Sequence, residues 1–259
     1  MKKTALITGA SGGIGKEFAI LHAEQGGDLI LVARSGDKLN ALKEELEKKH
    51  GIKAEVIVKD LGKPNAAKEL YESVKSSGLE VDYLINNAGF GGIGNFHERD
   101  IQEDLAMIRL NVEVLTELTH YFLQYFTVKN AGKILNVSST ASLLPGPLQA
   151  VYFATKAFVT SFSNAISEEL KGTGVTVTNL MPGATETDFG KVSGMDKTVM
   201  FDKTASPRKV AQDGYNGMLK GKLDVISGLT FSQKVMNMIL PFLPKKLVLK
   251  QVKQMQTIK

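Results

Sequence analysis

The chain runs to 259 residues, 43% hydrophobic and 23% charged, with a formal net charge of +5. It is long enough to bury a core without staples, and its composition is that of a soluble globular protein. It has no cysteine, which excludes disulfides, thiolate metal sites and cysteine nucleophiles; the four scattered histidines (His22, His50, His97, His120) lack metal-ligand spacing, so no metal is expected.

The first predicted element is a strand over 3–8. The basic start before it imitates a signal peptide, but the apolar run stops at Gly9, too soon for one. No stretch approaches the ~20 apolar residues of a spanning helix, and a cytoplasmic location is expected. Further strands are predicted over 28–33, 53–58, 81–86, 132–137, 174–180 and 223–227, with near-continuous Val, Ile and Leu. Such strands suit a parallel sheet buried on both faces. Helical patterns fill the gaps at 13–25, 37–50, 64–77, 99–127, 150–171 and 207–220, and Gly26 and Gly51 sit where C-terminal caps belong. Repeated strand–helix units imply right-handed crossovers and one doubly wound α/β domain over 1–259. Two regions leave that rhythm. Residues 184–206 read as a loop carrying Phe189, Met195, Val199, Met200 and Phe201, a substrate lid. Residues 229–259 form an apolar stretch around Pro241 and Pro244, then a basic helix-like run from Lys245 to Lys253.

Gly9, Gly13 and Gly15 follow the first strand and open the first helix. Glycine lets the backbone turn tightly and approach phosphate oxygens, and the free N–H groups of a helix N-terminus favour a pyrophosphate. The G-x-x-x-G-x-G spacing differs from the better-known G-x-G-x-x-G fingerprint. The second strand ends in Arg34-Ser35, where an acidic residue would bind the ribose 2′-hydroxyl of NAD. Arg34 suits a 2′-phosphate instead, with Ser35 adding a hydrogen bond, which favours NADP(H). Asp60-Leu61 ends the third strand, in reach of an adenine edge, and Asn86-Asn87-Ala88-Gly89 ends the fourth, beside a cofactor ribose. The run Gly89–Gly94 looks mobile and able to close over substrate.

Ser138 and Ser139 end the fifth strand, and Tyr152 and Lys156 stand one turn apart in the next helix. The i, i+4 spacing puts a phenol and an ammonium on one face. A cation beside a phenol lowers its pKa from about 10, and a nearby hydroxyl can share a carbonyl oxygen. Together with the glycine turn this points to hydride transfer at a carbon–oxygen bond.

Thr8–Gly15, Asp60-Leu61, Asn86–Gly89, Asn111, Ser139, Tyr152-x-x-x-Lys156, Pro182-Gly183 and Thr187 run in one order through most of the chain. In this the chain resembles the short-chain dehydrogenase/reductase family. The resemblance implies a Rossmann-like sheet of seven parallel strands, a nicotinamide cofactor and a homodimer or homotetramer. It implies Tyr152 as general acid in reduction and base in oxidation. Lys156 would lower the Tyr152 pKa and bind the nicotinamide ribose. Ser139, rather than Ser138, would hold the substrate oxygen. Asn111 would hold a water linking Lys156 to solvent. Gly9, Ser11, Gly13, Ile14 and Gly15 would surround the phosphates, with Asn87 at the ribose. Pro182-Gly183 would shape the nicotinamide pocket, with Thr187 near the carboxamide or phosphates.

The segment Leu143–Leu148 and the apolar residues of 184–206 offer few charges, so a hydrophobic ketone or aldehyde is the expected substrate. Lys245, Lys246, Lys250 and Lys253 suit an acidic carrier protein, a coenzyme A phosphate or a membrane surface, or else a solvated or subunit-packed face. No arginine-rich stripe interleaved with aromatics speaks for nucleic acid. An epimerase or dehydratase on the same scaffold, and a non-catalytic dinucleotide sensor, are the rival readings.

Overall fold

Alternation along each central strand decides how the molecule is layered. Ala5 and Ile7 of β1 (Thr4–Thr8) join Leu29 and Leu31 of β2 (Asp28–Ala33) in one apolar cluster, whereas Leu6, Ile30 and Val32 join a second on the opposite face. A period of two with apolar residues at both phases needs cover on both sides. The computed structural model, which describes residues 2–230, 233, 235, 239 and 243–257, supplies that cover. Helices α1 (Gly13–Glu24), α2 (Gly36–His50) and α8 (Pro207–Leu219) close the first face. Helices α3 (Ala66–Ser76), α5 (Leu115–Lys129) and α6 (Ala150–Glu169) close the second.

The remaining strands are β3 (Ala54–Val58), β4 (Tyr83–Asn86), β5 (Gly132–Val137), β6 (Val175–Pro182) and β7 (Asp224–Ser227). Among the described residues all seven pair in parallel, in the order β3-β2-β1-β4-β5-β6-β7. This is the expected doubly wound, Rossmann-like sheet. Chain direction across it reverses between β1 and β4, the place where open α/β sheets hold ligands beyond the strand ends. Gly26 and Gly51 cap α1 and α2 at φ of +75° and +63°, values that favour glycine.

Two features depart from the expected pattern. The helix foreseen at 99–127 begins at Ile101, because the Asp100 carboxylate accepts the Gln102 N–H at 2.9 Å and caps it. It is also interrupted: α4 (Ile101–Ile108) passes through a π-helical turn, Arg109–Val114, before α5. Such turns insert a residue without breaking the apolar stripe and favour functional sites. Asn111 lies in it. Second, the expected loop 184–206 contains α7 (Asp188–Ser193) and two 3₁₀ turns, Met195–Lys197 and Val199–Phe201. The helix-like basic run is found as expected: it forms α9 (Lys245–Gln256), whose Val248 and Val252 pack inward while its four lysines are exposed. Pro241, at the centre of the apolar stretch before it, lies outside the described residues, as does the side chain of Met200.

Candidate active site

At the carboxyl ends of β1 and β4 the glycine turn is built by side chains that reach across the sheet. Thr8 Oγ1 accepts the N–H groups of Asn87 and Ala88, both at 3.0 Å. The Asn87 amide returns donors to the carbonyls of Thr8 (3.0 Å) and Gly9 (3.3 Å). Asn87 thus holds the turn from beneath. A Cβ on Gly15 would collide with the Gly9 carbonyl oxygen, so strand and helix can approach this closely only at glycine. A Cβ on Gly12 would meet nothing within 4 Å, and the N-terminus of α1 opens onto that space. Ser11 and Ile14 sit half-buried in the same turn, Ile14 against the core. Thr187, after β6, caps α7 and stands over the turn: its Cγ2 would lie 3.1 Å from a Cβ on Gly13.

The rim matches this cradle. Arg34 and Ser35 are exposed beyond β2, and Arg34 has no ion pair among the described residues. Asp60 is exposed, its Oδ1 accepting the Gly62 N–H at 3.0 Å, while Leu61 is buried beneath it. Pro182 closes β6 and Gly183 hydrogen-bonds to Ser227 at 2.8 Å. A side-chain-free turn, open helix N–H groups and an unpartnered arginine fit a phosphorylated dinucleotide.

The chemical groups gather beyond β5. Ser138 turns away, donating to the Lys156 carbonyl and meeting Thr160 Oγ1, both at 2.8 Å. Ser139 faces the other way: it donates to the Pro182 carbonyl at 3.4 Å, and it lies near enough to the Tyr152 phenol to draw that group's proton affinity down. Lys156 donates to the Val137 carbonyl at 2.9 Å, and its Nζ stands 5.9 Å from the centre of the Tyr152 ring. Both side chains are buried, Tyr152 at 8% and Lys156 at 6% exposure. Burial, not mutual attraction, dominates their proton affinities. It pushes the Tyr152 phenol up to about 12, with Ser139 pulling weakly downward, and pushes Lys156 down to about 8. The expected lowering of the phenol by its ammonium neighbour is therefore reversed here: depth outweighs spacing.

Asn111 has its side chain fully engaged. Its Oδ1 accepts the Phe90 N–H (3.1 Å), and its Nδ2 donates to the Phe90 carbonyl (2.9 Å) and Thr155 Oγ1 (3.1 Å). It pins the loop after β4 beside Lys156, whose Nζ would lie 3.6 Å from a Cβ on Gly89.

A cavity of about 230 Å³ opens beside Tyr152. Pro147 and Leu148 line it, as the sequence suggests, but residues 184–206 do not. Its other wall is polar and comes from the loop after β4 and the start of α4, including Arg99 and Asp104. Phe189, Met195 and Phe201 pack instead with Tyr152, Phe153 and the inward valines of α9, and Met195 Cε would lie 2.8 Å from a Cβ on Gly91. Arg99, Asp104 and Gln149 were not among the residues the motifs singled out, and Thr8 stood in the glycine motif without a role of its own.

The family model for short chain dehydrogenases matches residues 3–197. A very-long-chain 3-oxoacyl-CoA reductase of Anas platyrhynchos is 34% identical over 73% of this chain and 62% of its own length. Human 17-beta-hydroxysteroid dehydrogenase type 3 is 34% identical over 74% of this chain and 62% of its own. The chain thus spans under two thirds of the length of these relatives. A solved short-chain dehydrogenase from Sphingobium yanoikuyae in complex with NADPH is 28% identical, covers 99% of both chains and superposes with a TM-score of 0.83. The chain belongs to the short-chain dehydrogenase/reductase family.

Proposed function

We propose that this protein is an NADPH-dependent reductase of a hydrophobic carbonyl compound, with Tyr152 as its proton donor. One observation carries the reading: a buried phenol, held at about 12, stands in the wall of a cavity with the Lys156 ammonium beside its ring. A phenol with that affinity keeps its proton at neutral pH and releases it only to a stronger base, such as an oxygen gaining negative charge. NADPH, when bound, supplies the hydride to the carbonyl carbon. Ser139 Oγ orients the carbonyl oxygen, and the Tyr152 hydroxyl protonates it. Lys156 Nζ, at about 8, is acidic enough to return a proton towards Tyr152 near neutral pH. Asn111 positions the loop beside Lys156; because its amide is fully engaged, any solvent link there would use its main-chain carbonyl. Arg34 and Ser35 favour the 2′-phosphate of NADP(H) over NAD.

The substrate body is apolar, since Phe96, Pro147 and Leu148 line the cavity. Two relatives are named for very-long-chain 3-oxoacyl-CoA and 17-beta-hydroxysteroids, which share a large apolar part, the acyl chain in one and the steroid rings in the other. A panel of ketones and aldehydes with each reduced nicotinamide tests the reading. Consumption of NADPH with apolar ketones is expected. No turnover of any carbonyl with either cofactor would refute it.

A further inference from the structure

The positive charge of this chain is not spread along it. Residues 225–259 hold six lysines and no aspartate or glutamate, so the net charge of +5 comes entirely from this stretch. Four of the six lysines fall in α9, and all four are exposed. None of them pairs with a carboxylate among the described residues, whereas Lys3, Lys59, Lys129 and Lys171 do. Lys245 and Lys246 stand in the first turn of α9, which has no acidic residue, and the positive end of a helix dipole disfavours cations there. Lys246, Lys250 and Lys253 then recur at i, i+4 and i+7, one row of like charges along the helix. The element is charged against its own stability. Beside that row Leu247 is 62% exposed, and Met255, Val235 and Ile239 of the same stretch are also open.

We propose that α9 lies on an anionic lipid bilayer, its lysines among the headgroups and Leu247 entering the acyl boundary. The bilayer supplies the negative charge that the element lacks and takes up its open apolar side chain. Lying, not spanning, follows from length: twelve residues rise about 18 Å against a hydrocarbon core of about 30 Å. No helix among the described residues is long and apolar enough to cross a membrane. A second copy is a poor occupant, because a two-fold contact through this face would set one lysine row against another. An acidic protein fits less well than lipid: lysine is depleted at protein interfaces and arginine enriched, and residues 225–259 hold no arginine. The inner side of α9 adds a consequence. Val248 and Val252 belong to the apolar cluster that includes Tyr152 and Phe153, so docking sets that cluster close to the bilayer. The proposal does not depend on the reductase reading, since lipid binding is measured without turnover.

The test is flotation of the full chain with vesicles of phosphatidylcholine alone and of phosphatidylcholine with about one third phosphatidylserine. In low salt the chain should bind the anionic vesicles about tenfold or more tighter than the neutral ones, and about 0.5 M NaCl should remove most of that difference. Lys246→Gln with Lys250→Gln should weaken anionic binding about 20-fold, roughly fivefold for each charge. Leu247→Gln should weaken it about fivefold through the lost apolar contact. All three side chains are exposed, so the Tm of each variant should stay close to wild type. Binding to neither vesicle, or equally to both, would overturn the proposal, as would full anionic binding by the double variant. Soluble polyglutamate, run in parallel, separates the partner classes. If it binds as tightly as the anionic vesicles and Leu247→Gln changes neither, α9 docks an acidic protein and the membrane assignment falls.

Discussion

Replacing Asn111 by alanine tests whether the π-helical turn serves the loop or merely interrupts a helix. The side chain is 1% exposed and makes three hydrogen bonds, two of them to the backbone of Phe90. Truncation strands the Phe90 N–H and carbonyl and leaves Thr155 Oγ1 with its bond to the Tyr152 carbonyl at 2.7 Å. A stranded buried polar group costs about 1–3 kcal/mol. Phe90 is only partly buried and water can enter the space left, so about 3 kcal/mol for the pair is the expected loss. For a chain of this size that is roughly 6–12 °C in Tm. Urea unfolding gives the free energy, and ketone reduction measured well below the new Tm gives the catalytic effect. Turnover should fall by about tenfold or more beyond any loss of folded protein, because the loop abuts Lys156. A stability loss below about 0.5 kcal/mol with full turnover would refute the reasoning, since surface-like substitutions behave that way.

Other outcomes follow from the same coordinates. His22 is buried at the opposite end of the sheet, its Nδ1 2.7 Å from the Tyr215 hydroxyl and its Nε2 2.9 Å from the Lys3 carbonyl, and burial lowers its pKa below 6.5. The unfolded chain therefore binds the proton first. This contribution to stability is complete above pH 6.5 and is lost as pH falls from 6.5 towards the lowered folded value. Urea midpoints from about pH 7.5 to 5.5 should drop less in His22→Gln than in wild type; equal slopes would count against it. Arg34→Asp should raise the KM for NADPH about 10–100-fold while sparing NADH; an unchanged cofactor ratio would show that Arg34 does not read the 2′-phosphate. Ile101, Leu105 and Ile108 project from one face of α4 at 51%, 47% and 41% exposure, and Phe158 of α6 at 40%. Light scattering should find a dimer or tetramer that Ile108→Lys with Phe158→Lys dissociates; a monomeric wild type, or identical masses, would contradict this.

The sheet was legible because its central strands are buried on both faces, so a bare run of Val, Ile and Leu marks them. The paired motifs were legible because glycine at Gly15 and the Tyr152–Lys156 spacing answer local demands of backbone and helix face. Sequence was silent where depth or distant contact decides. The π-helical turn keeps the apolar stripe running, so nothing in 99–127 betrays the inserted residue. The i, i+4 rule places phenol and ammonium together but not how far from water they lie, and burial reversed the expected sign of the Tyr152 shift. Arg99 and Asp104 fall within the predicted helix 99–127 with no local sign that they line a cavity; that depends on the loop after β4, where Gly92 lets the guanidinium approach. The basic run at 245–253 suggested a surface, and its lysines are one, but Val248 and Val252 turn inward to the cluster around Tyr152.

The proton on Tyr152 is the centre of the account, and removing its oxygen tests it most directly. Tyr152→Phe should lower ketone reduction by about 10²–10⁴-fold, while NADPH fluorescence still reports cofactor binding and the Tm stays close to wild type. Reduction at the wild-type rate in that variant would mean that the carbonyl takes its proton from another group.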